Sequence, residues 1–427
     1  MLRFYNARVL TMEEDREMFT GEVWTEGSRI VYVGPAKKAD ELAKSKFTRQ
    51  VDCCGNVLMP GFKNAHTHSG MTGMRSYADD LPLQEWLETK IFPMEAKMSG
   101  EDVYLLSKLA VLEYLTTGVT AVFDMYLTPD TIQKCAIDTG MKIVQVSGIN
   151  KFGPTMEVLE DRFLRLNGVS ELASFKLGFH AEYTCDLGLL KEIAALAHKY
   201  KQPLFAHNSE TEKEVRECIE RYHLTPTELM DSLGMFEYGG GGFHCVHFTD
   251  NDIRIFKEHD CSVVTCPGSN CKLASGVAPI QKFLDAGVNV AIGTDGPSSN
   301  NCLDMFREMF LVTGLAKIKT KNAAAVDGMQ VLKMATVGGA KAMGLNNADV
   351  LAPGKDADIV MIDLHQPEMQ PLNNIAKNIA YSGSKRDVAM TMVHGRILYE
   401  NGEFFTGDDP EEIYAEANRI VERLTRA

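Results

Sequence analysis

Val57-Leu58-Met59-Pro60-Gly61-Phe62-Lys63-Asn64-Ala65-His66-Thr67-His68 is the stretch on which the fold turns. Its apolar opening, Val57 through Phe62, reads as a buried strand, and the two histidines follow directly. Side chains alternate between faces along a strand, so His66 and His68 project to the same side. Two neutral imidazoles on one face suit a borderline metal ion such as zinc. Alone, His-x-His is a weak signal, because histidines are also common as satisfied core or surface residues.

Working outward, the middle of the chain repeats one arrangement. Short apolar strands at 119–123, 143–146, 175–179, 203–206, 242–244, 261–264 and 289–293 alternate with segments of helical spacing such as 189–200 and 279–286. Such alternation over roughly 250–300 residues predicts an α/β fold built as a (β/α)8 TIM barrel, with its chemistry at the carboxyl ends of the strands. Three more polar residues stand there: His207 after Pro203-Leu204-Phe205-Ala206, His244 after Gly242-Phe243, and Asp295 after Val290-Ala291-Ile292-Gly293-Thr294. A barrel brings all of them to one rim with His66 and His68, and that convergence turns a weak motif into a metal centre. His198, His223, His259, His365 and His394 fall in helical or peripheral β contexts and read as ordinary structure, and His247 is left unassigned.

Both ends of the chain have a different texture. Short β-type runs with turn signals fill the first fifty or so residues and return at 357–362, 388–393 and 395–400. Residues 1–56 and 350–405 are therefore expected to form one small β-sandwich, with the barrel at 57–349 inserted between them and a helix at 406–427. A chain of 427 residues is long enough for this, since single cores stop growing near roughly 250–300 residues.

The formal net charge of -14 disfavours nucleic acid and anionic membrane as partners. Ten cysteines without a CxxC spacing fit reduced thiols better than a disulfide framework. No signal-peptide pattern opens the chain and no apolar run has membrane-spanning length, so a cytoplasmic location is expected. Gly239-Gly240-Gly241-Gly242 lacks the downstream Lys-Ser/Thr pair of a phosphate-cradling loop.

Pro60-Gly61-Phe62-Lys63-Asn64-Ala65-His66-Thr67-His68, His207-Asn208-Ser209-Glu210-Thr211, His244-Cys245-Val246-His247 and Gly293-Thr294-Asp295-Gly296 together resemble the amidohydrolase superfamily over nearly the whole chain. The stretch from Met71 through Leu81-Pro82-Leu83-Gln84-Glu85-Trp86-Leu87 to Phe92-Pro93-Met94-Glu95 is similar to its S-adenosylhomocysteine and 5'-methylthioadenosine deaminase branch. The resemblance implies one metal ion per subunit, zinc in the first place with Fe2+ or Mn2+ as alternatives, held by His66, His68, His207 and Asp295. Two-metal relatives carry a bridging lysine at the end of the fourth strand, where this sequence has His180, with Lys176 at that strand's beginning.

In the implied mechanism the metal lowers the pKa of bound water from about 15.7 to about 7. Asp295 takes a proton, Glu210 protonates the ring nitrogen, and His244 polarises the water or the tetrahedral centre. Glu210 also reads as part of an acidic amino-terminal helix turn, 209–214; both readings can hold at once, and the His-x-x-Glu spacing directly after a ligand-bearing strand favours the catalytic role. The small-molecule substrate implied is an adenosine-type nucleoside, with His180 and Ser299 at the purine, Glu95 on the ribose hydroxyls, Trp86 closing the pocket and Ser147 near the 5' substituent. The relatives' arginines for that substituent are missing: no arginine follows the third strand until Arg162, and Lys151 lacks the planar fork that would replace one. The alternatives are hydrolysis of another ring (guanine, a pterin, an s-triazine or an imidazolone-type amide) and a metal-binding homologue without turnover. A homo-oligomer is implied by resemblance alone.

Overall fold

Gly61 is where the chain changes sheets. A Cβ there would lie 2.1 Å from the Thr120 side chain, so only glycine lets the backbone pass. The run 57–62 expected as one strand is therefore split between two different sheets. Val57–Pro60 and Phe62 are all buried and apolar, which hides the break from a hydrophobicity pattern. The computed structural model describes residues 1–38, 42 and 45–426.

Strands β1 (Leu2–Val9), β2 (Phe19–Glu26), β3 (Arg29–Gly34), β4 (Arg49–Asp52) and β5 (Val57–Pro60) come from the amino-terminal end. The barrel strands follow: β6 (Phe62–Thr67), β7 (Val119–Asp124), β8 (Lys142–Val146), β9 (Ala173–Lys176), β10 (Gly178–Ala181), β11 (Leu204–Asn208), β12 (Gly240–His244), β13 (Ser262–Thr265) and β14 (Asn289–Ile292). The carboxyl-terminal end returns with β15 (Ile359–Ile362), β16 (Val388–Val393), β17 (Arg396–Glu400) and β18 (Glu403–Phe404).

Among the described residues the two chain ends share one nine-stranded sheet, ordered β18-β17-β16-β15-β5-β1-β2-β3 with β4 beside β1. Its keystone is β5, parallel to β1 on one side and antiparallel to β15 on the other.

The barrel consists of β6-β7-β8-β9 and β10-β11-β12-β13-β14, all parallel. The fourth stave, expected as one strand over 175–179, is two strands that break at Leu177. The seam is bridged by His180 N–H donating to Ile149 O at 3.0 Å. The barrel closes where Asp295 N–H donates to His66 O at 3.0 Å and the Asn64 amide donates to Thr294 Oγ1 at 2.7 Å. At Gly293 a Cβ would lie 2.7 Å from His66, so closure requires glycine there too.

The floor of the barrel is tied to the end sheet by charge. Lys142, at the start of β8, reaches Asp356 at 2.8 Å and Asp358 at 2.6 Å, both just before β15. The carboxyl-terminal helix Pro410–Arg426 buries Ile413, Ala417, Ile420 and Leu424, an amphipathic stripe at helical spacing. Ala417, Ile420 and Leu424 of that stripe join the apolar cluster around Trp86, Leu87 and Met94. No helix among the described residues is long and apolar enough to cross a membrane.

Candidate active site

His66 comes from β6, His68 lies one residue past its end, His207 is on β11, and Asp295 follows β14. Among the described residues these four are buried together, with their ligand atoms all within 4.8 Å of one another. His68 Nδ1 donates to Met125 O, and His207 Nδ1 donates to His180 O at 2.7 Å. Each bond orients its ring so that Nε2 faces the cluster. His66 Nε2 and His207 Nε2 are 3.2 Å apart, and Asp295 Oδ1 lies 3.5 Å from His66 Nε2 and 3.1 Å from His68 Nε2.

Burial pushes the His66 imidazole down to about 3 and His207 well below the usual range. Burial acts the same way on His68, but the hydrogen bond and charge of Asp295 win and raise it to about 9. Asp295 is itself held far below the usual carboxylate range: burial opposes this, and its bonds to His66 and His68 outweigh burial. Three imidazole nitrogens with one carboxylate oxygen are a zinc donor set. The arrangement holds one metal. Lys176 sits at the end of β9 beside Gly344, toward the floor, and His180 occupies the rim end of that stave.

Above the cluster opens a cavity of about 360 Å³. Glu210 and His244 line its inner end, with His244 Nε2 3.8 Å from Glu210 Oε2. Burial raises the Glu210 carboxyl above its ordinary value, and Ser275 donates to its Oε1 at 3.0 Å. The reading of Glu210 as part of a helix turn does not survive: the helix is Glu212–Tyr222 with Thr211 as its cap, and Glu210 stands before it, 4% exposed. The Glu214 carboxylate accepts the N–H groups of Ser209 and Glu210 at 2.9 and 2.8 Å and so fixes the turn that aims Glu210.

Ser209, His244, Cys245 and Asp295 all have left-handed backbones, with φ of 51°, 71°, 50° and 60°. Each costs of order 1–3 kcal/mol in a non-glycine residue, and such strain gathers at functional rims.

The other expected substrate residues also line the cavity: His180, Ser299, Glu95, Trp86 and Ser147. His180 Nδ1 meets Thr184 Oγ1 at 3.1 Å, and burial lowers the ring to about 4. The Ser299 hydroxyl donates to Asp295 Oδ2 at 2.7 Å. Ser147 Oγ accepts the Ile149 N–H at 3.2 Å. Burial lifts Glu95 to about 7, against its hydrogen bond from Tyr126 and the charge of His68.

One expectation is corrected at the outer end. Arg162, distant in sequence from the third strand, lines the cavity from the helix Met156–Leu166, whereas exposed Lys151 lies over the Phe152 ring and is not part of the lining.

Sequence reading missed the segment after β13. Its Ser269 donates to Asp295 Oδ2 at 2.6 Å, and its Asn270 Oδ1 accepts from His244 Nδ1 at 2.8 Å. The available signal was positional: Cys266-Pro267-Gly268-Ser269-Asn270 directly follows a barrel strand, where the site must be.

Residues 57–398 match the model of the amidohydrolase family. A 5-methylthioadenosine/S-adenosylhomocysteine deaminase of Caldanaerobacter subterraneus subsp. tengcongensis is 38% identical, over 99% of this chain and 98% of its own. A 5'-deoxyadenosine deaminase of Methanosarcina acetivorans is also 38% identical, over 98% of this chain and 97% of its own. Among solved structures, an adenosine deaminase from Xanthomonas campestris with bound zinc superposes with a TM-score of 0.93 at 31% identity, covering 100% of this chain and 99% of that one.

Proposed function

The chain belongs to the amidohydrolase family, and on that premise we propose that it is a zinc-dependent deaminase, hydrolysing an adenosine-type nucleoside to its inosine analogue and ammonia. The observation that carries this reading is a single cavity that joins a buried, protonatable Glu210 beside the ligand cluster to Glu95 and Arg162. The curated relatives act on adenosine nucleosides, which favours them over guanine, pterins or s-triazines.

Zinc held by His66, His68, His207 and Asp295 supplies a Lewis acid that makes water nucleophilic near neutral pH. The chain's own groups then handle the protons. Ser275 occupies Glu210 Oε1, which leaves Oε2 to carry a proton to ring nitrogen N1 as water oxygen bonds to C6. Asp295 accepts the proton the water gives up. With its Nδ1 committed to Asn270, His244 presents Nε2 to the new C–O centre. On collapse the hydroxyl proton returns to Glu210, Asp295 passes its proton to the amino group, and the C–N bond breaks to release ammonia. Glu95 accepts the ribose hydroxyls, Trp86 walls the pocket, and the 5' substituent runs toward Ser147 and Arg162.

We place the enzyme in the cytosol as a homo-oligomer without nucleic-acid partners, in keeping with its ten unpaired thiols and net charge of -14. The test is ammonia release by zinc-loaded protein from adenosine, 5'-deoxyadenosine, 5'-methylthioadenosine, S-adenosylhomocysteine, guanine, a pterin and an s-triazine. Turnover should concentrate on the adenosine nucleosides. Silence there, with activity on another ring, overturns the substrate and keeps the metal chemistry.

A further inference from the structure

Strand β13 contributes no metal ligand, yet residues 267–275 that follow it touch every proton-handling group of the site. Ser269 donates to Asp295, Asn270 accepts from His244, and Ser275 donates to Glu210, at 2.6, 2.8 and 3.0 Å. The three partners stand on different staves, after β14, on β12 and after β11. All three loop residues are buried: Ser269 is 0%, Asn270 2% and Ser275 6% exposed.

The segment is anchored independently of those contacts. Gly268 N–H donates to Glu308 Oε2 at 2.8 Å, and the other oxygen of Glu308 accepts from Asn300 at 2.8 Å. A Cβ at Gly268 would come within 2.4 Å of Glu308 Oε1, so only glycine fits against that carboxylate. At the far end His247 Nε2 donates to Ser275 O at 2.8 Å, which gives that unassigned histidine a place. A left-handed backbone at Ala274, with φ of 54°, directs Ser275 inward.

We propose that residues 267–275 form one positioning element, in which Ser269 sets which oxygen of Asp295 faces the ligand cluster, and Asn270 and Ser275 set which atoms of His244 and Glu210 face the reacting carbon. On Glu210 the Ser275 hydroxyl holds Oε1 and leaves Oε2 for the substrate; on Asp295 Ser269, together with Ser299, holds Oδ2 and leaves Oδ1 facing His66 and His68; and the Asn270 amide oxygen, accepting from His244 Nδ1, points Nε2 inward. The inference rests on the deaminase reading above, because the three oriented groups are those assigned to proton transfer there.

The experiment uses full-length, zinc-loaded protein with Ser269→Ala, Asn270→Ala and Ser275→Ala, each checked for zinc content and thermal midpoint. On the best substrate of the panel, kcat should fall about 10–100-fold in each variant while KM stays within about threefold. Asn270→Asp, which keeps the acceptor for His244, should recover most of the loss. Ser275→Ala placed on Glu210→Gln should add nothing to the loss caused by Glu210→Gln alone, since the serine acts only through that carboxyl. An additive loss in the double variant, a rise in KM at unchanged kcat, or no recovery in Asn270→Asp overturns the proposal. If the panel instead shows turnover on a different ring, the same kcat and non-additivity pattern upholds the positioning element while the nucleoside reading falls.

Discussion

At the floor of the barrel, Lys142 is 2% exposed and lies between Asp356 and Asp358, whereas at the rim three imidazoles and one carboxylate face one another with no lysine or arginine among the four. Both ends of one barrel bury ionisable groups, but only the floor pairs a lysine with its carboxylates. Nearby Lys63, pushed down to about 8 by burial, finds its partners in Gly61 O and Thr120 Oγ1 at 2.8 Å each. A paired set holds two sheets together and does no chemistry. A donor set whose rings are oriented in advance is built around something that comes from outside.

The largest test of this contrast is His66→Ala. Elemental analysis should find the zinc lost and ammonia release reduced to background, while circular dichroism shows the fold kept. Glu210→Gln comes next: zinc should stay stoichiometric while kcat falls by about 10²-fold or more. At the floor the effects should separate the other way. Lys142→Met leaves buried Asp358 without its cation, while Asp356 keeps Arg29, and should cost about 3–5 kcal/mol in a urea titration. Zinc content and the kcat of the folded fraction should not change; a catalytic defect would mean the two ends are coupled.

A smaller effect concerns pH. In the proposed binding mode Glu95, lifted by burial to about 7, accepts the ribose hydroxyls more strongly when ionised. Its proton is on below that value and off above it, so kcat/KM for a nucleoside should decline as pH drops through about 7 and level off above it. Glu95→Gln should flatten that limb at its lower level, and adenine, which has no ribose, should show none of it. The smallest change is expected from half-buried Arg162. Arg162→Met should raise KM about fivefold for S-adenosylhomocysteine, whose tail carries a carboxylate, and leave 5'-methylthioadenosine unchanged, as solvent weakens such a contact.

The metal cluster was legible because its signals are local: the four ligands stand at the ends of three apolar strands, and strand periodicity alone puts His66 and His68 on one face. The barrel was legible for the same reason, in its repeated strands and amphipathic segments. What escaped depends on distance in space. The break at Gly61 is invisible in a run that is buried on both sides of it, since sheet identity is set by pairing with β15, some three hundred residues on. Arg162 reaches the cavity only through the docking of its helix. Ser269, Asn270 and Ser275 look like any loop serine or asparagine until their partners, 26, 26 and 65 residues away, are brought alongside.

The placement of β5 between β1 and β15 also sets an order of events during synthesis. When Pro60 leaves the ribosome, the partner of its outer edge is roughly 300 residues from being made, about 15–60 s at 5–20 residues per second. The barrel has that interval in which to form first. Until β15 arrives, β5 presents an unpaired apolar edge, the kind of surface chaperones bind and aggregates grow from. The last strands made are thus the ones that seal the first, and a nascent chain stalled short of Ile359 keeps that edge open.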